Sequence, residues 1–147
     1  MSYYKVSVLT YYYPHFMAVV FLLVFFATPV PHKSQFFWRA LLALVIATFL
    51  AHVNRIFLIV PEYRLFPSGH MTFCLGVALS LGMLRPWTLA ITLPLLVPFG
   101  AVLVAYGFHS IWDVLGAIPL VLVVYGAVHK LWPLPPAPPL DRGTVST

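Results

Sequence analysis

The chain has 147 residues, 62% of them hydrophobic and 7% charged, with a formal net charge of +5. Soluble domains carry about 25% charged residues, so this composition excludes a soluble globular domain, and the length leaves room for one integral membrane domain. The positive balance does not signal nucleic acid, because the Lys and Arg residues stand at the ends of apolar runs, as in membrane proteins. The single cysteine, Cys74, excludes an internal disulfide and a cysteine-based zinc cluster.

A membrane-spanning helix needs about 20 apolar residues, and five runs are candidates. The start, Met1 to Tyr13, is rich in tyrosine, and no small-residue cleavage site closes the first apolar run, so it does not read as a cleaved signal peptide. The first span runs from about Tyr13 to Val30 and closes at Pro29-Val30-Pro31. The second, from about Phe36 to Val60, is the longest and can span with tilt. The third starts at Ser68 and ends near Leu84. The fourth runs from Trp87 to about Gly107, and Pro94 and Pro98 inside it predict a kink. The fifth runs from Ser110 to about Trp132. The expected fold is therefore all-α, a single transmembrane bundle of about five helices over residues 1–132. A proline-rich tail, 133–147, reads as an extended or disordered end. Short connections predict that sequential helices pack as antiparallel neighbours. Trp38, Trp87 and Trp132, with Tyr3, Tyr4 and Tyr11 to Tyr13, suit an aromatic belt at the interfaces.

Five spans put the termini on opposite sides. One face then holds Lys33, Arg39, Arg85, Lys130 and Arg142, and the other Lys5, Arg55 and Arg64. The positive-inside rule makes the first face, with the C-terminus, cytoplasmic. The loops before the third and fifth spans then face outward together.

Those two loops carry the chemistry. One polar island is Pro67-Ser68-Gly69-His70, and the other is His109-Ser110-Ile111-Trp112-Asp113. The chain has three acidic residues, Glu62, Asp113 and Asp141, and an ionisable group beside an apolar span is a functional hypothesis by default. In the first island Pro67 presets a turn, Ser68 is a good helix N-cap, and Gly69 lets a ligand approach the backbone. The free N–H groups of that first helical turn make an anion site, and His70 can donate a proton near neutral pH. The plainer reading is a capped helix with an interfacial histidine. In the second island His109 and Asp113 lie one helical turn apart on one face. Asp113 can accept the Nδ1 proton and leave Nε2 of His109 as nucleophile or base; the alternative is a structural His–Asp pair closing a helix end. His70, His109 and Asp113 could in principle ligate a metal, but no HxxxH or HExxH spacing supports one.

The two islands together resemble the type 2 phosphatidic acid phosphatase (PAP2) superfamily, which includes lipid phosphate phosphatases, undecaprenyl diphosphate phosphatases and vanadium haloperoxidases. The resemblance covers roughly residues 52–117. It implies that His109 attacks phosphorus, Asp113 orients His109, and His70 protonates the leaving oxygen and then activates water. It also implies that the backbone at Ser68 and Gly69 cradles the phosphoryl oxygens, with no cofactor and no metal. The partners implied are a phosphorylated lipid substrate and membrane lipids, not nucleic acid; a chain this small could also work as a homo-oligomer or with partner subunits. The sequence departs from the family in two motifs. The Lys-x6-Arg-Pro string is absent, and His52, Asn54, Arg55 and, after a loop, Arg64 stand in its place, so Arg55 and Arg64 are the candidate phosphate clamps. The Ser-Arg that precedes the family's histidine is absent too: the position six before His109 is Leu103. Five spans are also one short of the usual six. The His-Ser-Ile-Trp-Asp string is similar to the sphingomyelin synthase-like branch, which transfers a phospho-headgroup to another alcohol. Metal-independent hydrolysis of a lipid phosphate or diphosphate at the outer membrane face is thus the leading expectation. Headgroup transfer and a non-catalytic lipid-phosphate-binding subunit are the alternatives.

Other residues read as scaffold. Cys74 is a small apolar filler, and His15, His32 and His129 flank apolar runs as interfacial anchors. His52, one turn from Arg55, is open to a site role, Tyr106 to lining the pocket, and Trp112 to facing either lipid or substrate.

Overall fold

Proline and glycine punctuate the chain where helices must stop, and in the computed structural model the turns fall there. The structure describes residues 3–57 and 67–135, without the side chains of 3–6, 9 and 54–57. Five helices, with no strand among the described residues, follow one another: α1 (Tyr3–Ala27), α2 (Lys33–Phe57), α3 (Gly69–Leu84), α4 (Trp87–Ala105) and α5 (Ile111–Leu131). Four contain stretches long and apolar enough to cross a membrane, Thr10–Ala27, Lys33–Val53, Trp87–Ala105 and Ile111–Leu131. α3, at 16 residues, is ~24 Å long against a hydrocarbon core of about 30 Å.

The short helix is the centre of the bundle. It is apolar on all sides, as a helix enclosed by others must be, and eleven of its residues are buried. It packs against each of the other four helices. Cys74 and Ala78 are fully enclosed, with Ala43 and Ala47 of α2, Leu103 of α4 and Val121 of α5 in the same core. Gly76 permits close approach on two sides: a Cβ there would stand 2.7 Å from Leu44 and 3.2 Å from the Tyr125 hydroxyl. That hydroxyl donates to the Gly76 carbonyl at 2.8 Å and lies 2.9 Å from Ser80 Oγ, pinning α5 to α3. α1 is tied to α4 by Tyr13, whose ring stacks on Phe99 at 4.2 Å while its hydroxyl donates to the Leu95 carbonyl.

The expected neighbour pattern fails at one place. α1 and α2 are sequential but make no close backbone approach; α3 packs against both. The five-residue turn from Thr28 to His32, with His32 at φ 53°, therefore joins helices that share α3 as their common partner. Their ends meet through large side chains, Phe25 against Phe36 and Phe37 among them. Lys33 closes the end of α1 by donating to the Phe26 carbonyl at 3.0 Å, where its charge opposes the helix dipole.

Other boundaries shift from the expectation. α1 begins ten residues before the apolar run, because the tyrosine-rich start is helical. α4 continues as one helix through Pro94 and Pro98. The start of the tail, 133–135, is non-helical, and Leu134 packs on the cluster of Phe25, Phe36, Ala40 and Leu84. Residues 136–147, with Arg142, lie outside the described residues. The up-and-down course gathers Lys33, Arg39, Arg85 and Lys130 near one end of the bundle. At the other end the heads of α3 and α5 meet the tails of α2 and α4.

Candidate active site at the head of the third helix

The head of α3 is built as the tetrapeptide predicts. Ser68 is the N-cap, in extended conformation, and its Oγ accepts the Met71 N–H at 3.3 Å. Its carbonyl receives the first helical bond, from Thr72 N–H at 2.8 Å. Ser68 itself is completely buried. The N–H groups of Gly69 and His70 have no partner among the described residues, and they stand at the positive end of the helix dipole.

The head of α5 is held by a reciprocal cap. Ser110 Oγ accepts the Asp113 N–H at 3.1 Å, and Asp113 Oδ2 accepts the Ser110 N–H at 2.9 Å. His109 precedes this cap at a chain reversal. Gly107 takes φ 72°, and the N–H groups of Phe108 and His109 both point back to the Leu103 carbonyl, at 3.0 and 3.1 Å. This is a left-handed helix stop, for which glycine is suited. Leu103 is fully buried, and its carbonyl fixes the backbone of His109.

The structure brings the two islands together. Ser68 N–H donates to the Asp113 carbonyl at 2.8 Å, and the rings of His70 and His109 lie 6.0 Å apart, centroid to centroid, with planes at 63°. His109 Nδ1 stands 3.8 Å from Asp113 Oδ2, the oxygen that also holds the α5 cap. This is ion-pair distance and longer than a hydrogen bond, so the expected Nδ1-to-carboxylate hydrogen bond is not formed in this arrangement.

Gly69 has a different task from the one expected of it. A Cβ at this position would lie 2.5 Å from Cε1 of His52, so that side of the backbone is occupied by an imidazole and not left open for ligand. His52 and His15 were harder to see in the sequence, and both belong here. With His70, Gly69, Tyr11 and Phe73 they line a cavity of about 290 Å³ between α1, α2 and α3. Their Nδ1 atoms lie 2.8 Å (His15) and 2.7 Å (His52) from the carbonyls of Tyr11 and Thr48, one turn earlier. A carbonyl can only accept, so Nδ1 carries the hydrogen and Nε2 is left as the acceptor in the neutral ring. No sequence signal marked His15 beyond its place one turn after Tyr11, because convergence of α1 on α3 is a tertiary fact.

The remaining candidates stand as follows. Trp112 is 63% exposed and faces away from the packed interior. Tyr106 caps α4 and is half-buried. The side chain of Arg55, and all of Arg64, lie outside the described residues. Among the described residues no Lys or Arg side chain stands at this end, and no three His, Cys, Asp or Glu groups are placed to hold a metal ion. Partial burial, then the neighbouring His109 and His52, holds His70 below the usual histidine range; His70 lies outside the four spanning stretches. Scans of protein-family models, of curated proteins and of solved structures each return no match to this chain.

Proposed function

We propose that the chain is a membrane-embedded phosphatase of PAP2 type that hydrolyses a phosphate ester or diphosphate on a lipid. The observation that carries this reading is the approach of His70 to His109, 6.0 Å between ring centroids, at the head of α3. Two imidazoles beside an anion seat can supply the nucleophile and the acid–base group for in-line phosphoryl transfer through a covalent intermediate.

In this mechanism Nε2 of His109 attacks phosphorus and the bond to the ester oxygen breaks. His70 gives its proton to the departing alcohol or phosphate. His70, now neutral, takes a proton from water as that water attacks the phosphohistidine, and the P–N bond breaks to release phosphate and restore His109. The Gly69 and His70 N–H groups bind the phosphoryl oxygens throughout, where developing charge is largest. Arg55 and Arg64 are the proposed cationic clamps, and the active face is proposed to be non-cytoplasmic. Asp113, whose Oδ2 lies 3.8 Å from Nδ1 of His109, is the proposed positioning residue for that ring.

A second reading has its own observation. The Asp113 carboxylate is engaged in a helix cap, which suits a lipid-phosphate-binding subunit without turnover. Phosphate release from several lipid phosphates, by purified protein in EDTA with His109→Ala as control, separates them. Release that persists in EDTA and vanishes in His109→Ala supports the phosphatase; binding without release supports the subunit. Headgroup appearing on a second lipid, with little free phosphate, points instead to a transferase.

A further inference from the structure

At the end of the bundle away from the histidine pair, Arg39 of α2 is 4% exposed, and its enclosed Nε has no hydrogen-bond partner among the described residues. Within electrostatic reach of it stands His129, on α5, a helix that packs closely on α2. The His129 ring stacks on Tyr125, and its Nδ1 lies 2.8 Å from the Tyr125 carbonyl, so Nδ1 carries a hydrogen. Its Nε2 is enclosed and also lacks a partner among the described residues. Two packed helices thus each leave a buried nitrogen unanswered in one region.

The charge there is one-sided. Lys33, Arg85 and Lys130 gather at the same end, and Asp113, the one carboxylate among the described residues, lies at the far end of α5. Lys33 is already bonded to the Phe26 carbonyl, while Arg85 and Lys130 are exposed. A guanidinium withdrawn from water without a counter-charge is costly, and in a membrane span such a group is a functional hypothesis by default. The chemistry that completes it is an oxyanion. A guanidinium presents a fork of N–H donors that matches phosphate oxygens, and Nε2 of a protonated His129 adds another donor.

The surroundings indicate where that oxyanion comes from. Arg39 lies six residues, ~9 Å, from the start of the spanning stretch Lys33–Val53, and His129 lies two residues from the end of Ile111–Leu131. Both therefore stand near a membrane surface, where basic pockets between helices take lipid headgroups. The next turns are apolar and open: Leu42, one turn after Arg39, is 42% exposed, and Trp132, one turn after His129, is 41% exposed. An anion that brings its own acyl chains can lay them on this surface, and a free phosphate ion cannot.

We infer that Arg39 and His129 hold the phosphodiester headgroup of an anionic glycerophospholipid, at the opposite end of the bundle from His70 and His109. The lipid is a resident ligand between α2 and α5, and the inference does not depend on the phosphatase reading.

The test is lipid retention by the full chain in uncharged detergent, read by native mass spectrometry during titration with phosphatidylglycerol or phosphatidylcholine of the same acyl chains. Both carry the phosphodiester, but choline cancels its charge. Phosphatidylglycerol should bind about tenfold more tightly than phosphatidylcholine, and Arg39→Gln should remove about that factor. Arg85→Gln takes the same charge from exposed surface at the same end and should change the affinity by less than about twofold. Should Arg39→Gln fail to fold, His129→Phe keeps a ring on Tyr125, lacks Nε2, and should also weaken phosphatidylglycerol. Equal affinity for the two lipids overturns the inference, as does no loss in the Arg39 and His129 variants or an equal loss in Arg85→Gln. Displacement of phosphatidylglycerol by an equal concentration of inorganic phosphate overturns it too. So does retention that appears only in Asp141→Asn, which would give the place to a carboxylate of the chain itself.

Discussion

Ser68 and Asp113 are joined through their backbones, N–H to carbonyl at 2.8 Å, although 45 residues separate them. This bond fixes the head of α3 against the head of α5, and it needs neither side chain. The side chains are thereby free for other work: Ser68 Oγ caps α3, and the Asp113 carboxylate caps α5 and faces His109.

The two duties of Asp113 can be separated. Asn keeps an oxygen that can accept the Ser110 N–H but carries no charge, whereas Ala keeps neither. We expect Asp113→Asn to retain thermal stability and to lose phosphate release by about a hundredfold or more. Asp113→Ala should lose both, with about 1 kcal/mol less stability from the missing cap. Full activity in Asp113→Asn would reduce Asp113 to a helix cap.

Gly69 and His52 should behave as one unit. Gly69→Ala places a Cβ 2.5 Å from the His52 ring, and overpacking of this kind costs about 1–3 kcal/mol. Removing the ring relieves the clash, so Gly69→Ala with His52→Ala should recover most of the loss. A double-mutant cycle of unfolding midpoints in detergent checks this, with a coupling of about 1 kcal/mol or more expected. Additive effects would mean that His52 does not occupy that space.

At the core of the bundle, Tyr125→Phe removes the hydroxyl that donates to Gly76 and meets Ser80. Leaving those buried groups without it should cost about 1–3 kcal/mol. Because this site lies well down α5 from His109, KM and kcat should hold at temperatures below the lowered midpoint. A stable Tyr125→Phe protein would show that the hydroxyl contributes little to the α3–α5 contact.

The pH dependence follows from His70. Burial, His109 and His52, in that order, hold it below the usual histidine range, so its proton is lost earlier as pH rises and its supply to the leaving oxygen fails on the alkaline side. His52→Ala removes one of the three causes and should move the alkaline limb of kcat to higher pH. The pH profile of the two proteins checks it; an unmoved limb would assign the titrating acid elsewhere.

Much of the fold was legible because apolar runs bounded by proline announce buried or lipid-facing helices. The early start of α1 was not, because Lys5, Ser7 and the tyrosines lower the hydropathy of a segment that is nonetheless helical. Nor was the separation of α1 from α2, which depends on the small residues that draw α3 toward both. At the site, His70, His109 and Asp113 stood out as polar residues in an apolar background, and the capped head of α3 followed from Ser68, whereas the Ser110–Asp113 cap of α5 emerges from the structure. His15 reads in sequence like any histidine at the margin of a span. Only the packing of α1 and α2 against α3 brings it and His52, both exposed, to the rim of one cavity with His70. Leu103 shows the converse: nothing in the sequence marked it for the site, yet it is a buried core residue whose carbonyl supports the backbone of His109.

The most direct test of the phosphohistidine mechanism is acid-free rapid quench of the purified protein with a lipid phosphate radiolabelled at phosphorus. The mechanism predicts an alkali-stable, acid-labile phosphoryl group on His109, formed in EDTA, absent from His109→Ala and accumulating in His70→Ala if hydrolysis of the intermediate is slowed more than its formation. Phosphate release by the parent with no label on His109 at any quench time, or undiminished turnover in His109→Ala, would contradict it.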